Sequence, residues 1–275
     1  MLGALGAAAA GAATRSRAFG VITGLAAWAC AHSLHALARE IRSAEDAGVL
    51  SARVGSGAPL FGLWSAEADF VGVIVRSLED GARTVVECGS GSTTIVIGSV
   101  LRELGAGSLT AIEHEESYAA EIRRRVERAG LDEYVRVVTA PLRVQTFTQA
   151  TVPWYDRDIV EDAVTEIIDL VVVDGPPQTI AGARTPALDV LHGRLAADAA
   201  VLCDDGRARA TLGDVNDWSR RFPDLDVFWI DTVKGTWMLK RRAPSSARVP
   251  VATLASIARA VNPRPAGFGR WPVRR

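Results

Sequence analysis

From position 66 to 240, short runs of Val, Ile and Leu alternate with longer amphipathic stretches. Continuous apolar runs mark strands buried on both faces, and the 3.6-residue periodicity between them marks helices. The spacing predicts strands over 84–88, 108–113, 134–139, 167–174, 200–204, 227–231 and 236–240. Helices are predicted over 66–79, 93–104, 116–129, 186–195 and 214–222, with Gly105 and Gly130 just past C-termini and Pro186 in a first turn. This is the α/β class: a doubly wound, mainly parallel seven-stranded sheet, carrying an N-terminal helical extension. Residues 141–166 are the least regular and contain Pro153-Trp154-Tyr155-Asp156, which reads as a substrate lid bearing exposed aromatics.

Residues 18–38 hold no formal charge and are flanked by Arg15, Arg17, Arg39 and Arg42, a length sufficient to cross ~30 Å of hydrocarbon as a helix. Phe19, Val21, Ile22, Leu25, Leu34 and Leu37 favour lipid, whereas Gly20, Thr23, Gly24, His32, Ser33 and His35 oppose it. Two readings follow for a segment over 1–45: a membrane anchor, or an Ala-rich helix whose Leu34, Leu37 and Ile41 face the domain or a partner subunit. Ala36-Leu37-Ala38 resembles a signal cleavage site, but the chemistry below needs a cytosolic cofactor. At the other end Pro250 opens a short helix with Leu254, Ile257 and Val261 on one face, before a Pro/Gly/Arg tail.

Charge sharpens this division. The 275 residues carry a net charge of −1, which gives no reason to expect a nucleic-acid partner. Yet nine basic residues and no acid lie between Lys240 and Arg275, and no acid precedes Glu40, so the middle is acidic between two basic ends. Cys30, Cys88 and Cys203 are too few and too scattered for a disulfide framework or metal cluster, and read as small buried residues.

In open sheets of this class, ligands sit beyond the carboxyl ends of the strands, where strand order reverses. The predicted ends carry Glu87, Glu113, Ala140, Asp174, and the pair Asp204 and Asp205. After the first strand, Glu87-Cys88-Gly89-Ser90-Gly91-Ser92-Thr93 forms a strand, glycine turn and helix start, in which Gly89 and Gly91 let backbone approach a ligand. A dinucleotide loop would place a third glycine where Thr94 stands.

The acid-x-Gly-x-Gly turn, with Glu113 ending the next strand, resembles class I S-adenosylmethionine-dependent methyltransferases over residues 60–242. The resemblance implies that Glu113 meets the ribose hydroxyls and Glu87 the cationic amino-acid end of that cofactor. It also implies that Gly89, Ser90 and Gly91 pass the methionine part and that His114 borders the adenine. Ala140-Pro141-Leu142 leaves the adenine amino contact unassigned. Thr93 departs from a glycine common in that family.

Asp174-Gly175-Pro176-Pro177 and Asp204-Asp205-Gly206 end neighbouring strands in the expected topology, so three carboxylates converge and a divalent cation such as Mg²⁺ would relieve their repulsion. Metal-dependent O-methyltransferases resemble this pattern. Alternatively, Asp205 caps the following helix, Asp204 pairs with Arg207 or Arg209, and Asp174 shapes the proline turn. Catechol-type relatives carry a lysine where Pro177 stands, which leaves Asp174 as the catalytic residue, or a metal-bound substrate oxygen, to manage the proton. Together with Trp154-Tyr155-Asp156 and Ala183-Arg184-Thr185-Pro186-Ala187-Leu188, these motifs resemble a bacterial branch of the superfamily. Arg184 reads as a structural ion pair or an anion holder.

The expected activity is therefore methyl transfer to an oxygen of a small-molecule or lipid-like acceptor. The domains are an apolar segment over 1–45, the methyltransferase domain over 60–242 and a basic tail over 243–275. The expected location is the cytoplasm, with attachment to the cytoplasmic face of the membrane through the N-terminal segment. The competing readings are an NAD(P)-dependent oxidoreductase and a non-catalytic membrane adapter.

Overall fold

The computed structural model describes residues 2–54, 66–148 and 150–242, with side chains of the first helix described from 25 to 51. The helix expected at Pro250 and the basic tail lie outside these residues. In chain order the elements are α1 (Leu2–Val54), α2 (Ala68–Glu79), β1 (Thr84–Cys88), α3 (Ser92–Leu104), β2 (Ser108–Glu113), α4 (Glu116–Arg128) and β3 (Val135–Thr139). They continue with β4 (Leu142–Thr146), β5 (Thr151–Tyr155), α5 (Arg157–Ala163), β6 (Ile168–Val173), α6 (Ala187–Leu191), β7 (Leu195–Cys203), α7 (Arg209–Arg221), β8 (Leu225–Ile230) and β9 (Thr236–Arg241).

Seven strands form one sheet in the order β3-β2-β1-β6-β7-β9-β8, with β9 antiparallel to both its neighbours. This is the doubly wound sheet expected from the alternation. Strand order reverses between β1 and β6, and register fixes what meets there. Cys88 pairs with Ile112 and Val173, and Val173 pairs with Cys203. The next residues, Gly89, Glu113, Asp174 and Asp204, therefore leave the sheet at one level. Main-chain bonds carry this level past the strands: the amides of Gly89, Asp174 and Asp204 donate to the carbonyls of Ile112, Cys88 and Val173 at 2.9, 3.0 and 3.1 Å.

Each face of the sheet buries its own apolar layer. Phe70, Ile74, Ile97, Leu101 and Ile122 pack from α2, α3 and α4 on one side. Trp154, Tyr155, Leu188, Leu191, Trp218 and Trp237 fill the other. Alternation along β1 serves both, since Val85 enters the first layer and Val86 the second.

Residues 142–155 form an antiparallel hairpin of β4 and β5 rather than a loose lid. Trp154 and Tyr155 are fully buried, with Phe147 edge-on to Trp154 at 5.9 Å, so they do not close over an acceptor. Aromatic bulk here completes the core instead. α6 stops at Leu191, four residues short of the expected end, and β7 starts at Leu195. α7 starts at Arg209, five residues before the expected limit, and Asp214 lies inside it, accepting a hydrogen bond from the Thr185 hydroxyl.

Among the described residues, α1 meets the body through Arg39, Arg42, Asp46 and Leu50. Leu50 is buried, and Gly72 of α2 lets the Asp46 carboxylate approach so closely that a Cβ there would stand 3.0 Å from it. Leu34, Leu37 and Ile41 are exposed and do not face the domain, and Cys30 is exposed rather than buried. Among the described residues, no helix is long and apolar enough to cross a membrane.

Candidate active site

The acids singled out at strand ends lie at the carboxyl edge of β1, β2, β6 or β7, around the point where strand order reverses, while Ala140 follows the outer strand β3. Glu87, the penultimate residue of β1, is fully buried. Its carboxylate accepts hydrogen bonds from the Thr93 hydroxyl and, at 2.5 Å, from the Thr94 hydroxyl, both in the first turn of α3. Thr94 accepts in turn from the Gly91 amide at 2.8 Å. Burial pushes the Glu87 carboxyl up to about 8, against the opposing pull of the two threonine hydroxyls. Sequence reasoning missed these threonines, although hydroxyls in a first turn after a buried acid are a readable signal.

Glu113 ties two loops together. One carboxylate oxygen accepts from the Ser90 amide and hydroxyl at 3.2 and 3.1 Å, and the other from the amides of His114 and Glu115 at 2.8 and 3.0 Å. The His114 ring Nδ1 lies 2.8 Å from the same oxygen as those amides. Ser90, Glu113 and His114 thus form one cluster, as a shared ligand site requires.

Gly89 and Gly91 serve different ends. Gly89 has φ +94°, and a Cβ there would stand 2.9 Å from the Gly175 amide nitrogen, so its missing side chain is filled by the chain's own turn after β6. Gly91 is more open, with only the Tyr118 hydroxyl within 3.7 Å of such a Cβ. The space beside the backbone at this turn is therefore open at Gly91 and taken by the neighbouring turn at Gly89.

Across the switch point, Asp174, Asp204 and Asp205 place carboxylate oxygens within 4.8 Å of one another. Asp204 does not pair with Arg207, whose guanidinium donates to Asp231, and Asp205 takes φ +55° in the turn. Both side-chain oxygens of Asp204 are buried without a hydrogen-bond partner among the described residues. Burial and the neighbouring acids push Asp204 well above the usual carboxylate range. Asp174 is pushed up to about 6, chiefly by burial and against the pull of Arg184.

Arg184, 5% exposed, lies under this cluster. Its Nη2 stands 3.5 Å from Asp174 Oδ1 and 3.3 Å from Asp205 Oδ2 and donates to the Asp174 carbonyl at 2.7 Å, while Nε donates to the Pro176 carbonyl at 3.0 Å. The structural ion pair expected of Arg184 is thus formed, with acids of the site itself. Lys234 Nζ stands 3.9 Å from Asp205 Oδ1. Its loop is held by Asp69, which accepts from the Val233 amide at 2.7 Å, and by the Arg207 amide, which donates to the Lys234 carbonyl. In donor type the three acids suit a hard divalent cation. They do not fit one in charge, because two protein cations already meet the same carboxylates.

Residues 86–206, from β1 through the turn after β7, match the family model described as a methyltransferase domain. Over these residues the chain carries a methyltransferase domain. Its sheet also matches solved structures at low identity. One is a Staphylococcus aureus protein assigned as a caffeoyl-CoA O-methyltransferase, 12% identical, with a TM-score of 0.50 over 67% of this chain and 86% of that one. Others are an O-methyltransferase from Bacillus cereus in complex with S-adenosylhomocysteine (18%, TM-score 0.49, 73% and 90%) and the S-adenosylhomocysteine-bound Podospora anserina methyltransferase (17%, TM-score 0.49, 65% and 80%). No curated protein matches the chain. Within the methyltransferase domain, the family match begins at Val86 and takes in every acid of the candidate site.

Proposed function

We propose that the domain over 60–242 moves the methyl group of S-adenosylmethionine to an oxygen of a small-molecule or lipid-like acceptor. The observation that carries this reading is the grouping of Glu87, Ser90, Glu113 and His114 on one side of the switch point with Asp174 directly across it. Glu113 is the partner for the ribose hydroxyls. Two vicinal hydroxyls would take over the oxygen that the Ser90 hydroxyl now fills. Glu87 faces the cationic amino end, and a positive charge there offsets the burial that now keeps the acid protonated near neutral pH. Gly91 and Ser90 pass the methionine part, and His114 lies at the adenine edge.

In transfer, the acceptor oxygen forms a bond to the methyl carbon as the carbon–sulfur bond breaks. Sulfur keeps the bonding pair, and Asp174 takes the hydroxyl proton. Catalysis comes mainly from holding the three reacting atoms in line. No step runs through a metal, given the charge already present at Asp174 and Asp205.

Calorimetric titration with S-adenosylmethionine and with NADH tests the cofactor, and isotopic methyl transfer to fractionated cell extract tests the activity. Binding of NADH in place of S-adenosylmethionine would replace this reading with the oxidoreductase. Cofactor binding without transfer to any fraction would favour an adapter.

A further inference from the structure

An acidic trio at a strand edge asks for positive charge, and the source of that charge decides what the site can do. Asp174, Asp204 and Asp205 lie within 4.8 Å of one another, as ligands of a hexacoordinate ion would. A magnesium ion also needs space for the waters it retains and freedom from nearby fixed cations. Arg184 removes the second condition. Its guanidinium is almost wholly enclosed and stands 3.3 and 3.5 Å from carboxylate oxygens of Asp205 and Asp174. Donation to the carbonyls of Asp174 and Pro176 pins the planar fork, so it cannot swing aside as a flexible ammonium would, and its charge is permanent. Lys234 approaches Asp205 from the other carboxylate oxygen, 3.9 Å away.

We infer that Arg184 is the resident cation of this cluster, standing in for a divalent metal and holding Asp174 and Asp205 for a metal-independent reaction. The charge arrangement stands by itself, and only its catalytic meaning rests on the methyl-transfer reading. Arg184 acts through Asp174 and is a positioning residue. Arg184 Nη1 reaches the Asp204 carbonyl at 3.5 Å, but the Asp204 carboxylate has no side-chain hydrogen bond among the described residues. It is the ligand a metal would need most, which makes its variant the discriminating one.

The test is titration of the full chain with Mn²⁺, followed by the paramagnetic resonance of free ion, for the wild type, Asp204→Asn, Arg184→Lys and Arg184→Gln. Melting temperatures with EDTA and with Mg²⁺ are taken alongside. The wild type should leave Mn²⁺ free at sub-millimolar concentration, with melting unchanged by either addition, and Arg184→Lys, whose ammonium can swing aside, should bind Mn²⁺ with an affinity between the wild type and Arg184→Gln. Arg184→Gln should raise Mn²⁺ affinity by about ten- to a hundredfold, the range that changes around a metal's ligands produce. Adding Asp204→Asn to that variant should abolish the gain. Sub-millimolar Mn²⁺ binding by the wild type that Asp204→Asn removes would overturn the inference. If Arg184→Gln does not fold, the wild-type and Asp204→Asn titrations decide alone. A chain that binds neither S-adenosylmethionine nor Mn²⁺ would sink the methyl-transfer reading while supporting the resident cation.

Discussion

Gly89 and Gly175 touch backbone to backbone across the switch point: a Cβ on Gly175 would stand 2.8 Å from the Gly89 Cα and 2.6 Å from the Tyr155 hydroxyl oxygen. The turn after β1 and the turn after β6 are therefore fitted to each other, and this sets the spacing between the proposed cofactor acids and Asp174. Gly175→Ala should lower unfolding free energy by ~1–3 kcal/mol, as overpacking does. Gly91→Ala, with open space around it, should change it by less than ~0.5 kcal/mol. Urea denaturation of both variants checks this, and equal effects would show that the contact does not set the spacing.

Glu113 is the most heavily bonded acid of the site, and Glu113→Gln should weaken S-adenosylmethionine binding by about ten- to a hundredfold, the loss of one charge-assisted bond. Ser90→Ala removes the hydroxyl that donates to Glu113 where the ribose is proposed to bind, and should leave affinity unchanged or improved. Calorimetry on both variants separates a ligand contact from a loop staple, which would respond to the serine as strongly as to the acid.

Glu87 gives the protein a pH dependence whose sign is fixed by its raised carboxyl. An acid that titrates at about 8 when folded and near 4.5 when unfolded contributes stability that is complete below pH 4.5. That contribution is lost as pH rises through 8. The stability of the wild type relative to Glu87→Gln should therefore decline between pH 5 and pH 8, by at most ~1.4 kcal/mol per pH unit. Denaturation at several pH values measures it, and a difference that grows with pH would show that Glu87 is ionised in the folded chain.

Leu37 and Leu50 lie on the same helix in opposite surroundings, 55% and 3% exposed. Leu50→Ala should cost ~2–5 kcal/mol and Leu37→Ala less than ~0.5 kcal/mol. Co-sedimentation with anionic vesicles then asks whether Leu34, Leu37 and Ile41 carry the proposed membrane association; indifference of the triple alanine variant would remove them from it.

The sheet was legible because its strands are buried on both faces, so each run of Val and Ile announces itself without regard to partners. β1 and β2 have the expected limits to the residue. The acids at the strand ends were legible for the same reason, since a charged residue closing an apolar run has few places to go. The hairpin was not, because Pro153 and the outward polar residues of β4 and β5 break the alternation and Trp154 resembles a surface aromatic until the core beneath it is seen. Arg184 stood out as a charge among Ala183, Pro186, Ala187 and Leu188. Its partners could not be read, because they depend on the register that sets β6 beside β7.

Asp231 links the two ends of this description. Its carboxylate lies 3.5 Å from Arg39 of the long helix and also accepts from Arg207 at 2.5 Å, while Arg42 donates to its carbonyl at 3.2 Å. Such exposed pairs contribute little to stability singly. Shared on one residue, they hitch α1 to the loop that carries Lys234. Loss of the Asp231 side chain would free Arg39 and Arg207 from each other and leave only the Arg42 bond to the Asp231 carbonyl between this helix and that loop among the contacts named.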